Sequence, residues 1–242
     1  MKMGMKVMVT AGILLAAASA VIAQDEKWNF GVTPYFWAAG IDGEATVQGH
    51  HADINADFSD LFDAVDAGGG LMTTAQRGPF VIWGQFDYVG MDTDKLDNAP
   101  AGGSIQTDSF LGALAAGLRF DLPLKGSTID VMGGVRYAWI KSDVEITGVG
   151  SGEDTVDIVD GIGVLRPNVR LTEKWHFNPT FAVGAGDSEL TWEVQPTIVY
   201  QINKSLAIRA GYRRLFYDIE GDKGNSLEVA FQGLLVGVDL LF

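Results

Sequence analysis

The chain has 242 residues, no cysteine and a formal net charge of −14. The acidic balance argues against nucleic acid as a partner, because binding to phosphates needs a basic surface. The absence of cysteine excludes disulfides and a lipid anchor on an N-terminal cysteine.

The first 23 residues have the pattern of a secretory signal peptide. Two lysines precede an apolar run from Val7 to Ile22, and small residues end it. A membrane-anchor helix is the alternative, but the run is short for a full span. We therefore expect cleavage before Gln24, with a signal peptide over residues 1–23 and one mature domain over residues 24–242.

The mature chain has no other apolar run long enough for a spanning helix, so any passage through a membrane must use strands. Alternating apolar and polar residues predict about ten strands. The predicted strands are Trp28–Ala39, Gly68–Arg77, Phe80–Asp94, Ser104–Asp121, Ser127–Glu145, Ile158–Leu171, Trp175–Gly186, Leu190–Ile202, Ser205–Ile219 and Ser226–Phe242.

Two kinds of connection alternate between these strands. Short turns, such as Gly78-Pro79, alternate with longer segments, such as 41–66 and 147–156. This layout is typical of an all-β, antiparallel, up-and-down transmembrane barrel with short periplasmic turns and longer extracellular loops. Eight or twelve strands are the alternatives, because residues 43–58 could form an extracellular hairpin that turns near Gly49.

Four prolines conflict with this pattern, because proline cannot donate a hydrogen bond to a sheet ladder. They are Pro34, Pro167, Pro179 and Pro196. We expect them at bulges or near strand ends.

One face of each predicted strand is apolar. In the last strand this face holds Leu234, Val236, Val238, Leu240 and Phe242. Aromatic residues cluster near the strand ends, where amphipathic rings suit the membrane interface. The predicted interface aromatics are Trp28, Trp139, Trp175, Trp192, Tyr200 and Phe242. The alternative is a water-soluble sandwich or lipocalin-like barrel, in which the apolar face turns inward.

The opposite faces carry polar and charged residues, which are costly on a lipid-facing surface and must therefore point into the lumen. The predicted lumen network comprises Arg119, Arg136, Arg166, Arg170, Glu193, Gln195, Arg209, Arg213 and Asp239. In a narrow lumen these groups should pair. They form either a structural plug of salt bridges or a narrow, Arg-lined channel with anion preference.

Catalytic groups are sparse. His50 and His51 lie near acidic residues, a grouping loosely similar to that of omptin proteases, but the paired elements of that family do not match. His176 has no serine at a spacing typical of outer-membrane lipases. No nucleotide, zinc or haem motif is present. We expect no enzymatic activity, no metal and no cofactor.

The segments that carry the barrel pattern are WNFGVTPYFWAAGIDG, FSDLF, SELTWEVQPTIVYQINKSLAIRAGYRRL and LLVGVDLLF. On these segments the chain resembles small outer-membrane β-barrel proteins of Gram-negative bacteria, of the porin-like and outer-membrane protein A-like kind. The resemblance implies residence in the bacterial outer membrane, among outer-membrane lipid and lipopolysaccharide. It also implies that the barrel-assembly machinery reads the C-terminal Phe242.

These observations favour a monomeric, non-enzymatic protein that acts as a structural envelope protein or as a narrow porin-like channel. The alternative is an extracellular-facing binding protein, an adhesin or a receptor. That alternative depends on acidic residues in the predicted outer connections, such as Glu153, Asp154, Asp157 and Glu189.

Overall fold

The computed structural model describes residues 27–47, 50–56, 65–93, 103–146, 150–220 and 226–242. The predicted signal peptide lies outside these residues. The strands are β1 (Asn29–Val47), β2 (His50–Ala56), β3 (Val65–Arg77), β4 (Phe80–Thr93), β5 (Gly103–Asp121), β6 (Thr128–Ile146), β7 (Gly150–Arg170), β8 (Trp175–Phe177), β9 (Thr180–Gly186), β10 (Leu190–Gln195), β11 (Thr197–Asn203), β12 (Leu206–Glu220) and β13 (Ser226–Leu241). No described helix is long and apolar enough to cross a bilayer.

These strands form a closed ring with ten strand positions. β8 and β9 both pair with β7, and β10 and β11 both pair with β12, so each couple is one interrupted barrel strand. The other ring strands pair antiparallel with their neighbours in sequence, and β1 pairs with β13 to close the ring. The predicted fold and the predicted number of ten strands are confirmed.

β2 stands outside this ring and forms a hairpin with β1. It pairs with the end of β1, from Ile41↔Ala56 to Val47↔His50. Within the described residues, the hairpin that the sequence suggested over residues 43–58 is present as the paired segments of β1 and β2.

Several strands are much longer than a membrane crossing requires. At about 3.3 Å per residue and a tilt of about 40°, a strand the length of β7 covers about 50 Å along the axis, roughly twice the height of an apolar membrane band. The predicted loops over 41–66 and 147–156 are therefore wrong in part. β1 continues to Val47, and β6 and β7 stay paired as far as Ile146↔Gly150, because ladder hydrogen bonding continues beyond the membrane.

The turns at residues 78–79, 122–127, 171–174 and 204–205 lie at one end of the barrel, the periplasmic end. Two of them contain glycines with positive φ, Gly78 at 56° and Gly126 at 77°, a conformation that other residues rarely adopt. The C-terminal residue is tied down at the same end. Phe242 donates a backbone hydrogen bond to Phe30 over 2.9 Å and accepts one from it over 3.2 Å.

The prolines stand where a ladder is interrupted. Pro179 and Pro196 lie at the breaks in the two divided strands. Pro34 and Pro167 lie inside β1 and β7 rather than at strand ends, but each faces a gap in one ladder. At the second gap, the Asn178 side chain donates to the Pro167 carbonyl oxygen over 2.9 Å.

The barrel is apolar outside and largely polar in the periplasmic half of its lumen. The outward side chains of Phe36 and Val236 are 54% and 56% exposed, whereas Asp87 and Glu193 are 1% exposed. A water-soluble barrel has the reverse arrangement. The outward apolar face therefore fits contact with lipid.

Candidate functional site in the barrel lumen

Four buried charged residues meet in the middle of the lumen. We name Asp87, Arg136, Glu193 and Arg213 the central cluster; they lie on β4, β6, β10 and β12. Arg213 donates to Asp87 over 2.6 Å and to Glu193 over 3.1 Å. Arg136 donates to the second Glu193 oxygen and to Thr191. Two cations thus face two carboxylates, which offsets the cost of removing each charge from water.

Hydrogen bonds next to the central cluster cross the lumen. Gln85 on β4 donates to Gln195 on β10 over 3.0 Å. These two strands stand five positions apart in the ring of ten, so the bond joins opposite walls. Gln85 also donates to the Tyr35 hydroxyl over 2.8 Å, and Tyr35 donates to Asp87.

Large side chains fill the lumen on both sides of these polar groups. Those that are at most 1% exposed include Trp37, Trp83, Leu215, Tyr217 and Phe231. The Arg213 guanidinium lies 4.4 Å from the centre of the Trp37 ring. This apolar filling is absent from the predicted lumen network. Strand alternation carries the signal, since Trp37 shares a face with Tyr35, and Trp83 shares one with Gln85.

The periplasmic part of the lumen is open. It contains a cavity of about 500 Å³, which we name the periplasmic cavity. Two salt bridges line it. Arg209 holds Asp239 through two hydrogen bonds of 3.0 and 2.9 Å, and Arg119 holds Asp130 through two of 2.7 and 3.0 Å.

Arg166 also lines this cavity, but it has no carboxylate partner within salt-bridge distance among the described residues. Its side chain donates one long hydrogen bond, of 3.7 Å, to the Met72 sulfur, and lies 5.4 Å from the centre of the Trp83 ring. Its Nε has no hydrogen-bond partner in the described part of the chain, although the residue is only 5% exposed.

Arg170, the remaining residue of the predicted lumen network, lies apart from these groups. It is exposed at a periplasmic turn, where its side chain donates to the Thr172 carbonyl oxygen over 3.2 Å. Nearby, the ring nitrogen of His176 lies 3.1 Å from the Asn168 side chain and within the lining of the periplasmic cavity.

The predicted interface aromatics lie on the outward face near the strand ends. At the periplasmic end, Trp28 stacks on Phe30 and Trp175 packs on Tyr200, with ring centres 6.1 and 4.8 Å apart. At the outer end, Trp192 stacks on a phenylalanine of β12. The other two predicted interface aromatics, Trp139 and Phe242, also lie at outward-facing positions. Contact of these rings with lipid headgroups stays a prediction.

The described residues contain no group of three or more His, Asp or Glu side chains arranged to hold a metal. The side chains of His50 and His51 lie outside what the structure describes.

The sequence matches no protein-family model and no curated protein. Among solved structures, the outer membrane protease OmpT from Escherichia coli is similar over 91% of this chain and 98% of its own, with a TM-score of 0.51 and 8% identity. The translocator domain of the autotransporter NalP from Neisseria meningitidis is similar over 97% of this chain and 95% of its own, with a TM-score of 0.41 and 12% identity. Ail, the attachment invasion locus protein of Yersinia pestis, is similar over 90% of this chain and 99% of its own, with a TM-score of 0.37 and 9% identity.

The likeness to the first of these shows a shared fold and nothing about activity. Together with the inside-out distribution of side chains, it confirms the predicted class. By fold, this chain is an outer-membrane β-barrel.

Proposed function

We propose that this protein is a non-enzymatic structural barrel of the outer membrane with a closed lumen. The observation that carries the proposal is the hydrogen bond between Gln85 and Gln195, which joins opposite walls of the barrel. The central cluster lies beside this bond, and its four side chains are almost completely buried. A solute would have to displace both.

Energetics favour a plug over an anion-selective channel. Opening the lumen means separating paired charges in a medium of low dielectric constant, which costs about 3–5 kcal/mol for each broken pair. Trp37 and Phe231, both at most 1% exposed, add a layer that an ion cannot cross without rearrangement. An Arg-lined pore needs cations that face water, whereas Arg136 and Arg213 face carboxylates.

Conductance across planar lipid bilayers tests this proposal. We expect the folded protein to insert without stepwise conductance. We also expect Glu193→Ala to stay silent, because the apolar layer still blocks the lumen. Folding is checked independently by the change in electrophoretic mobility of the barrel on heating. Stepwise current with anion preference in the wild-type protein overturns the plug and favours the narrow channel.

A second candidate function is binding at the outer rim. Asp157, Asp187, Glu189, Glu220 and Glu228 are exposed there. Such a surface attracts basic ligands. If this candidate holds, a lysine-rich peptide binds the folded protein in micelles, and the triple variant Glu189→Gln/Glu220→Gln/Glu228→Gln loses that binding. Equal binding by both proteins removes the candidate.

We also propose that the outward apolar face contacts outer-membrane lipid and that the rim contacts lipopolysaccharide through bridging divalent cations. In the same proposal, the barrel-assembly machinery reads Phe242. Deletion of this residue should reduce the amount of folded barrel in the outer membrane, while Leu241→Ile should not. Equal assembly of both variants contradicts this last part.

A further inference from the structure

We propose that the periplasmic cavity binds a small organic oxyanion, with Arg166 as its principal contact. The inference goes beyond a structural role. It is tested separately from the closed lumen, because ligand binding and conductance are measured in different experiments.

The first observation is the charge of the cavity lining. Its side chains include four cations, Arg119, Arg166, Lys204 and Arg209, and two carboxylates, Asp130 and Asp239. Arg119 and Arg209 are each held by one of the carboxylates. The other two cations, Arg166 and Lys204, give the side chains of the lining an excess of positive charge.

The second observation concerns Arg166 itself. It is nearly fully buried, and among the described residues its Nε has no partner and its one hydrogen bond goes to a sulfur atom. A buried guanidinium without a carboxylate is costly, so such groups are normally paired. Asp130 lies directly opposite Arg166 in the β6–β7 ladder, yet its carboxylate accepts hydrogen bonds from Arg119 instead. The structure thus leaves this guanidinium available for an external anion.

The third observation is the shape and chemistry of the remaining lining. A volume of about 500 Å³ lies within the roughly 300–1,000 Å³ range of small-molecule pockets. The Thr74 hydroxyl and the Asn168 amide add hydrogen-bonding groups, and Val199 and Leu241 form an apolar part. This mixture suits an organic molecule that carries a carboxylate or phosphate group. The lining reaches Lys204 and Ser205 in a periplasmic turn, so the ligand enters from the periplasm.

Nuclear magnetic resonance of the folded protein in micelles tests the proposal. Residues 27–242 contain only three methionines, Met72, Met91 and Met132. Labelling their methyl groups with carbon-13 therefore gives a simple spectrum. Citrate and inorganic phosphate serve as probes of the two anion types, and glucose serves as the uncharged control. We expect citrate to shift the Met72 signal, because the Met72 sulfur accepts the hydrogen bond from Arg166, and to leave the Met132 signal in place.

Matched variants assign the effect to Arg166. Arg166→Gln should weaken citrate binding at least about tenfold, because a charge-assisted hydrogen bond is lost. Lys174→Gln removes a positive charge from the same end of the barrel but outside the cavity lining, and should change the affinity less than about twofold, because exposed charges are screened. Thr74→Trp, which places a large side chain in the cavity, should abolish binding and serves as a second variant if Arg166→Gln does not fold.

Two results overturn the proposal. One is the absence of a Met72 shift in the wild-type protein with either anion at about 10 mM, a concentration that detects even weak binding. The other is equal citrate affinity of wild-type protein and folded Arg166→Gln. A response to phosphate alone, lost in Arg166→Gln, keeps the oxyanion site and narrows its ligand to phosphate-bearing molecules.

Discussion

The central cluster and the periplasmic cavity use the same residue type in opposite ways. In the central cluster, Arg136 and Arg213 are each bound to carboxylates, and the lumen is closed. In the periplasmic cavity, Arg166 is buried without a carboxylate partner among the described residues, and the lumen is open. Paired arginines hold opposite walls together. An unpaired one, next to empty volume, is free to contact a ligand.

The largest effect is expected from breaking the central cluster. Glu193→Ala leaves Arg136 without a carboxylate and Arg213 with Asp87 alone, which should lower the free energy of unfolding by about 3–5 kcal/mol. Denaturant unfolding of the refolded protein in micelles or vesicles measures this. Glu189→Ala, in the neighbouring exposed turn, is the matched control and should be neutral. Equal stability of the two variants would show that the central cluster does not hold the walls together.

A moderate effect is expected from two adjacent glycines in β3. A Cβ on Gly70 would overlap the Tyr35 ring and the Asp87 carboxylate, whereas a Cβ on Gly69 meets nothing within 4 Å. Gly70→Val should therefore cost about 1–3 kcal/mol through overpacking beside the central cluster. Gly69→Val should be neutral or slightly stabilising, because valine favours strands. The same unfolding experiment compares them, and a larger loss for Gly69→Val contradicts the assigned faces.

The smallest change is expected at Arg166. Replacing an unpaired buried charge by an apolar side chain of similar length removes a desolvation cost, so Arg166→Met should alter the free energy of unfolding by no more than about 1 kcal/mol, in either direction. The matching substitution Arg213→Met should destabilise strongly, because it leaves two carboxylates short of a partner. Similar losses in both variants would remove the energetic distinction between the two regions.

Strand alternation was enough to predict ten barrel strands and the inward placement of Arg136, Glu193 and Arg213. The period of two assigns each residue to a face, and the cost of charges in lipid decides which face is inward. The partners were harder to predict. Gln85 meets Gln195 across the lumen although 110 residues separate them, and no local pattern encodes such a contact.

The extramembrane parts of the strands were missed for a related reason. Residues 150–157 are rich in glycine and acid, which is typical of loops, yet residues from Gly150 onward lie in β7. Their strand conformation depends on the long ladder with β6. Likewise, Arg166 is available because Asp130 accepts hydrogen bonds from Arg119 instead. The sequence does not show which of the two arginines binds Asp130, whereas the three-dimensional arrangement does.

The seam between β1 and β13 has a consequence for biogenesis. β1 is the first described strand and β13 the last, so the ring cannot close until the last strand is present. Until then both edges offer unpaired backbone groups that invite aggregation. A chain built this way stays an open sheet until its last strand pairs with its first.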